Sequence, residues 1–447
     1  MHEKNFEVIV LGAGTAGCVA AHTAAKNGLG RVALVDRKPR EKIGRKVCGD
    51  GIGTAHIMFL IENGFPIEED IISCYPETLQ LVSPDKKHII ALESYKQLAI
   101  INRHEFGQAL LSGAMNEGIT LFDKAKFTAL KRRSDGVKVK LEIDRNKEQT
   151  LSTTLVIDAT GFNSRIRNDY SIFGNSGLVK DEEQYSCYRE ICEVESPGSF
   201  KDSAVFEFSF EASKGGYAWV FQRDGNEFNM GIGIPRNHVK SCSPKSAFEN
   251  YLANQFMNRR VIDGAGGIVP TRHPLPTHVK DNIILTGDAG AVVNPLHGGG
   301  LGAAIASGYI AGNIAARQVP AGEVMERDLW PFNLQLMQRY GLRYSVLDLF
   351  RILLQNISDE ELNDAFSNDY LPLGEIYIAR EYDQLIELLL KLRKTWEQLS
   401  GKKFNRLPFF IERVHEITSN YPESPDGLDK WTKKYEGFYS EYQMVVK

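Results

Sequence analysis

Apolar runs bounded by glycine turns set the rhythm of the chain's opening. Phe6 to Leu11 predicts a short strand, a glycine turn follows, and an alanine-rich stretch from about Ala16 to Asn27 predicts a helix closed by Gly28. Arg31 to Val35 predicts a second strand ending at Asp36, so the opening reads as a βαβ unit. A polar, glycine-dotted loop from Lys38 to Gly53 comes next. Residues 76–101 predict strands around the turn Ser83-Pro84-Asp85-Lys86. Helical periodicity returns from Arg103 to Glu117, and Thr120 to Val156 is β-rich, broken at Ser134-Asp135-Gly136. Alternation over 183–236, with Asp224-Gly225 at a turn, predicts antiparallel hairpins. Residues 281–316 read as strand, glycine turn and helix. From Asp328 the pattern is helical, with capping-box spacing at Ser358 and Glu361 and a glycine stop at Gly401.

The elements interleave, which predicts discontinuous domains. Residues 1–75, 102–180 and 270–320 form one unit, 76–101 with 181–269 a β-rich one, and 321–447 a helical one.

Composition narrows the class. The chain has 447 residues, 43% hydrophobic and 25% charged, enough apolar surface for two or three packed units. Basic residues number 53 and acidic residues 57, a net charge of −4, so no nucleic-acid partner is expected. No apolar run of about 18 residues occurs, so no membrane span is expected. The start MHEKNFEVIVLGAG lacks the basic and apolar regions of a signal peptide, which predicts a cytoplasmic protein. Cys18, Cys48, Cys74, Cys187, Cys192 and Cys242 are scattered without a CxxC pair. Neither a metal centre nor a disulfide framework is expected from them.

Gly12-Ala13-Gly14-Thr15-Ala16-Gly17 lies between the first strand and helix. In this pattern the first glycine permits a tight turn, the second lets backbone approach a pyrophosphate, and the third lets helix pack on strand. The helix start then offers unpaired amides and the positive end of its dipole. Asp36, 19 residues beyond Gly17, can accept from a ribose hydroxyl. A dinucleotide is therefore expected. Leu155 to Gly161 (LVIDATG) and Ile283 to Gly290 (IILTGDAG) are further apolar strands ending in acidic turns. The second runs into Asn294 to Gly302 (NPLHGGGLG) and an alanine-rich helix. Asp288 there can accept from ribityl hydroxyls, and the glycines can approach a flavin ring.

The set GAGTAG, Arg103 in NRHEF, DATGFNSRIR and TGDAGAVVNPLHGGG resembles the FAD-dependent oxidoreductases of the para-hydroxybenzoate hydroxylase fold, over roughly the first 320 residues. Lys46 to Gly51 (KVCGDG) resembles the KxxCGxG-type loop of geranylgeranyl reductases, and Tyr217-Ala-Trp219-Val-Phe221 resembles their YxWxFP signature. Gln222 replaces the expected proline and Arg223 the following lysine. The resemblance implies an α/β fold: a Rossmann-like FAD-binding domain, an interleaved antiparallel-β substrate domain and a C-terminal helical region. It implies noncovalent FAD held by Gly12, Gly14, Ala16, Gly17, Asp36, Arg37, Cys48, Gly49, Gly51, Arg103, Ala125, Asp288, Gly299, Gly300 and Leu301. Arg103 would reach the phosphates and Ala125 the adenine. It implies a prenyl-chain lipid substrate against Tyr217, Trp219 and Phe221, and electrons from NAD(P)H or a small redox protein such as ferredoxin. Peripheral contact with the inner face of the cell membrane is a further expectation. The rival readings are a flavin monooxygenase or halogenase, whose WxWxIP signature YAWVF superficially resembles, and a lycopene-cyclase-like flavoprotein without net redox turnover.

Several residues keep two readings. Cys48, Tyr217 and Trp219 are the catalytic candidates. Cys48 is either a small residue packed at the flavin or an acid, since Lys46 lowers a thiol pKa and Asp50 raises it. Tyr217, Trp219 and Phe221 share one strand face, either core or cavity lining. Arg339 and Arg343, four apart on a helix, suit a phosphate headgroup or plain solvent. Leu342 to Leu354 and Leu385 to Leu392 are core helices, the wall of a tunnel or a face that docks on a membrane surface. His297 has no assigned role.

Overall fold

The computed structural model describes residues 4–133, 136–143, 147–368 and 404–447, together with Gly374 and Trp396. The apolar stretch Leu385 to Leu392, Gly401 and the turn residues Ser134 and Asp135 lie outside them. The first sheet has at its heart the parallel strands Ile283–Leu285, Lys147–Asp158, Lys4–Leu11, Val32–Val35 and Thr120–Phe122, in that spatial order. Both faces of such strands are covered, which is why they read as continuous apolar runs rather than alternating ones. Val8, Ile9, Val10, Leu11, Leu155 and Val156 are accordingly buried. The antiparallel strands Ala125–Arg133 and Gly136–Ile143 extend the sheet from its long strand.

Two helices cross tightly over this sheet. Helix Thr15–Lys26 meets helix Leu301–Gln318 at glycines. A Cβ on Gly308 would stand 2.4 Å from the Ala16 carbonyl oxygen, and one on Gly312 would stand 2.6 Å from that of Ala20. The close approach brings the starts of both helices to the same edge of the sheet, where the strands end.

The second sheet runs Arg260–Pro270, Gln184–Glu193, Glu227–Pro235, Tyr217–Gln222, Ser203–Glu207, Thr78–Val82, Ile89–Glu93. Its pairs are antiparallel except Ser203–Glu207 with Thr78–Val82. One expected boundary needs correction. Leu98–Ile101, assigned to the β-rich unit by its strand character, pairs with Gly51–Gly53 and Ile72–Cys74 in a small third sheet. Strand character is shared by both sheets, and only the partner decides membership.

From Glu326 the described chain is helical: Glu326–Leu336, Leu342–Leu354, Asp359–Ser367, Leu407–Ser419 and Leu428–Val446. Ser358 and Glu361 cap the third of these reciprocally. The last helix is clamped to the body by a buried ionic cluster. His273 Nδ1 lies 2.8 Å from Asp348 Oδ2, Arg272 pairs with Glu183 at 2.9 Å, and the His273 ring stacks on Tyr439 at 3.6 Å. Burial and Arg272 press His273 toward neutrality, but Asp348 and Glu436 outweigh them and raise its pKa. Burial would raise Glu436, yet His273 and Arg272 hold it down at about 2. The depressed carboxyl contributes stability above its unfolded value of about 4.5, lost as pH falls. The raised imidazole contributes stability below about 6.5, lost as pH rises through its folded pKa. Thermal melting against pH should therefore peak between about 4.5 and 6.5 and decline toward pH 9, and His273→Gln should flatten the alkaline decline. A midpoint rising from pH 6 to 9 would contradict this.

Candidate active site

The strand Lys4–Leu11 ends in Gly12, whose φ of +96° suits glycine alone, and a Cβ there would lie 2.4 Å from the Ala159 carbonyl oxygen. Gly14 has open space where its Cβ would be, so its backbone faces the cavity bare. Asp36 is clamped at the end of the second strand, its carboxylate accepting from the N–H groups of Ala13 and Lys38 at 2.8 Å each. Arg103 opens helix Arg103–Asn116, which Asn102 caps. Its Nη2 donates to Thr15 Oγ1 at 2.9 Å, while its Nε and Nη1 are buried without a partner.

Arg103 is thus tethered to the start of the first helix, and it lines the same cavity as Gly12 and Gly14. Buried guanidinium nitrogens without acceptors are costly, and a pyrophosphate at the helix start would satisfy them. The residues present therefore fit a flavin dinucleotide. Arg103→Met should weaken FAD binding about tenfold, for the loss of about 1.5 kcal/mol from a charged hydrogen bond. Flavin titration of the apoprotein checks this; an unchanged affinity would remove Arg103 from the phosphate site.

One cavity of about 1660 Å³ joins this cradle to the second sheet. Gly12, Gly14, Ala16, Asp36, Arg37, Cys48, Gly49, Gly51, Arg103, Ala125, Asp288, Gly299, Gly300 and Leu301 line it, as do Tyr217, Trp219 and Phe221. Gly17 does not. A Cβ there would stand 1.8 Å from the Gly12 carbonyl oxygen, so it serves helix packing rather than contact with a ligand. The Ala125 N–H is taken by the Asp36 carbonyl at 2.9 Å. Asp288 is held by Lys46 Nζ at 2.5 Å, a link from the cysteine loop to the turn Gly287–Gly290.

The cysteine loop lies directly on the aromatic strand. A Cβ on Gly49 would meet Phe221 at 3.3 Å and the Trp219 indole nitrogen at 3.6 Å. Phe206 adds an edge contact to both Tyr217, at 5.2 Å between centroids, and Phe221, at 5.1 Å. Trp219 and Phe221 are 7% exposed, so they are at once core and cavity wall. Trp219 donates to Asn229 Oδ1 at 3.0 Å and lies over Gly231, where a Cβ would be 2.3 Å from the ring.

Lys46 is turned to Asp288, while the Asp50 N–H donates to Cys48 Sγ at 3.3 Å. Burial, with the Asp50 charge second, raises the Cys48 thiol above its ordinary pKa. The loop therefore favours a protonated thiol over a nucleophilic thiolate. His297 shapes the glycine loop: its Nδ1 accepts from the Gly299 N–H at 3.1 Å and its carbonyl accepts from the Tyr217 hydroxyl at 2.5 Å. Burial, reinforced by Arg343, lowers its pKa to about 4, so the ring is neutral. Gln222 continues the strand in place of the expected proline, its side chain bonded to the Gly225 carbonyl and the Asp202 N–H. Arg223 pairs with Asp50 at 3.1 Å. Arg339 and Arg343 both line the cavity. Asp50, Asn229, Gly231 and Phe206 were not read as site residues. Pairing the strands across Asp224-Gly225 would have set Trp219 opposite Gly231 and Phe221 opposite Asn229.

A glycine cradle and an aromatic sheet face on one cavity define an FAD-dependent oxidoreductase, and an FAD binding domain family matches residues 5–183. Within that class, residues 183–269 match the geranylgeranyl reductase catalytic domain family. The chain is 29% identical, over 99% of both chains, to digeranylgeranylglycerophospholipid reductase of Sulfolobus acidocaldarius. It is 27% identical to the protein of that name from Methanococcus vannielii, over 89% of this chain and 99% of the relative. A geranylgeranyl bacteriochlorophyll reductase-like protein from Thermoplasma acidophilum superposes with a TM-score of 0.77 at 20% identity, covering 89% of this chain and all of the other. The flavin-dependent halogenase CmlS superposes at 0.66 with 17% identity, over 99% of this chain and 78% of the halogenase, which shows a shared fold.

Proposed function

We propose that the protein is an FAD-dependent reductase that saturates isolated C=C bonds of geranylgeranyl chains on archaeal ether glycerophospholipid precursors. The single observation that carries this reading is the continuity of the cavity from the dinucleotide cradle to the face of Tyr217, Trp219 and Phe221. The names of the relatives point to the same substrate class.

The chemistry fits the wall. An isolated trisubstituted alkene is electron-rich and has no carbonyl to accept charge, so proton addition leads and a tertiary cation develops. Reduced FAD, when bound, supplies the hydride from N5, with NAD(P)H or a small redox protein such as ferredoxin as the electron source. Aromatic faces stabilise the developing cation without offering it a nucleophile. The Tyr217 hydroxyl gives its hydrogen to the His297 carbonyl at 2.5 Å, which fixes the phenol at the cavity wall. Cys48 is the second protic group there, and neither is a strong acid. Arg339 and Arg343 supply cations for a phosphate headgroup at the same cavity.

Among the described residues no helix is long and apolar enough to cross a membrane. Met58 and Ile61 are 54% and 43% exposed on helix Thr54–Glu62, whose Ala55, His56 and Phe59 line the cavity. That apolar face supports peripheral contact with a membrane surface, which for a cytoplasmic protein is the inner one.

Affinity for saturated-tail analogues should rise with chain length, each newly buried methylene adding about 0.8 kcal/mol, roughly fourfold. Competitive binding of C10 to C20 isoprenoid glycerophosphates tests this. A flat dependence would rule out a long apolar cavity as the binding site.

A further inference from the structure

The loop between Cys48 and Gly51 holds an ionisable group more deeply than the thiol. Asp50 is 1% exposed, lines the cavity, and sits at φ +65°, a conformation that side chains seldom adopt. Its Oδ2 accepts from Asn229 Nδ2 at 2.8 Å and Arg223 Nη1 at 3.1 Å. Its Oδ1 is buried with no hydrogen-bond partner. Asn229 donates also to the Cys48 carbonyl at 2.8 Å and accepts from Trp219 Nε1 at 3.0 Å. One carboxyl group is thus tied, through one amide, to both the cysteine loop and the aromatic ring proposed to face the cation.

A buried carboxylate with an orphaned oxygen is costly, and a proton on that oxygen removes the charge. The cations facing Asp50 are Arg223, Arg189 and Arg103. Two of them have another anion to answer. Arg223 Nε lies 3.7 Å from Glu227 Oε2 and Arg189 pairs with Asp263 at 2.7 Å, while Arg103 donates to Thr15 Oγ1. Cys48 is the remaining titratable neighbour on the same loop. Burial therefore prevails, and the carboxyl is pushed above the usual carboxylate range.

We propose that Asp50 is the acid of the reduction: a protonated Oδ1 delivers the proton to the alkene, and the Arg223 and Asn229 hydrogen bonds stabilise the carboxylate left behind. This rests on the prenyl reductase reading above. The O–H bond breaks, the alkene π pair forms the new C–H bond, and the tertiary cation takes the hydride of reduced FAD. The carboxylate then recovers a proton from water. A carboxylic acid is a far stronger acid than the thiol or phenol beside it.

The test is single-turnover oxidation of the reduced holoenzyme by geranylgeranylglyceryl phosphate without oxygen, with product mass measured. Wild-type enzyme that yields no saturated product defeats the parent reading. Given wild-type turnover, Asp50→Asn should slow it at least 100-fold with FAD still bound, and Asp50→Glu should recover part of the rate with a shifted pH profile. Cys48→Ser should cost less than Asp50→Asn. The wild-type rate should fall with rising pH, a slope absent from Asp50→Asn. An Asp50→Asn rate within threefold of wild type overturns the proposal. Should that variant lose its flavin, a wild-type rate that stays flat from pH 5 to 9 overturns it equally.

Discussion

Trp219→Leu is expected to slow alkene reduction roughly 30-fold while prenyl binding changes only a few-fold. The indole is 7% exposed and meets Tyr217 at 6.2 Å between centroids, so its face is shielded from water. A desolvated cation–π contact is worth about 2 kcal/mol, or roughly 30-fold. Leucine fills similar apolar space in the ground state, so the loss appears where charge develops, in the transition state. The substitution also strips Asn229 Oδ1 of its donor, which should lower stability by about 1–3 kcal/mol. Stopped-flow flavin reoxidation and product analysis check the rate, and substrate titration checks binding. Equal losses in both would make Trp219 a packing residue.

Gly17→Ala should abolish the yellow holoprotein, whereas Gly14→Ala should fold and bind flavin weakly. A Cβ on Gly17 would stand 1.8 Å from the Gly12 carbonyl oxygen, a backbone atom of the turn itself. Relief requires prising helix Thr15–Lys26 off the strand that precedes it. The cost lies at or beyond the upper end of overpacking, about 3 kcal/mol or more. Gly14 has nothing within 4 Å of its missing Cβ and lines the cavity, so a methyl there strains no protein atom and would crowd a dinucleotide bound at the turn. Thermal melts and flavin content separate the two variants. Equal stability of Gly17→Ala and wild type would refute the packing role.

The parallel core was legible because buried strands carry uninterrupted apolar runs, and Val8 to Leu11 and Leu155 to Ile157 announce themselves so. The glycine turn, Asp36 and the aromatic strand were legible for a similar reason: each is a local pattern. What the sequence concealed is non-local. Strand Leu98–Ile101 changes sheets because of its partners, not its composition. Asn229 is an unremarked polar residue in a strand until its amide is found bridging Asp50, Cys48 and Trp219. Lys46, read as a neighbour of Cys48, spends its charge on Asp288, 242 positions away. Arg339 and Arg343, whose spacing favours a solvated face over a headgroup site, both line the cavity. Periodicity reports which face is apolar; it does not report what that face meets.

Reduced flavin in this cavity is expected to saturate an unactivated prenyl double bond. The most direct measurement is an anaerobic single turnover: enzyme reduced with dithionite, freed of excess reductant, and mixed with a geranylgeranyl glycerophospholipid. The absorbance of oxidised flavin should return, and the lipid should gain two hydrogens per flavin oxidised, one delivered as a proton and one as the flavin's hydride. Flavin that stays reduced until oxygen is admitted, with the lipid mass unchanged, would contradict this expectation.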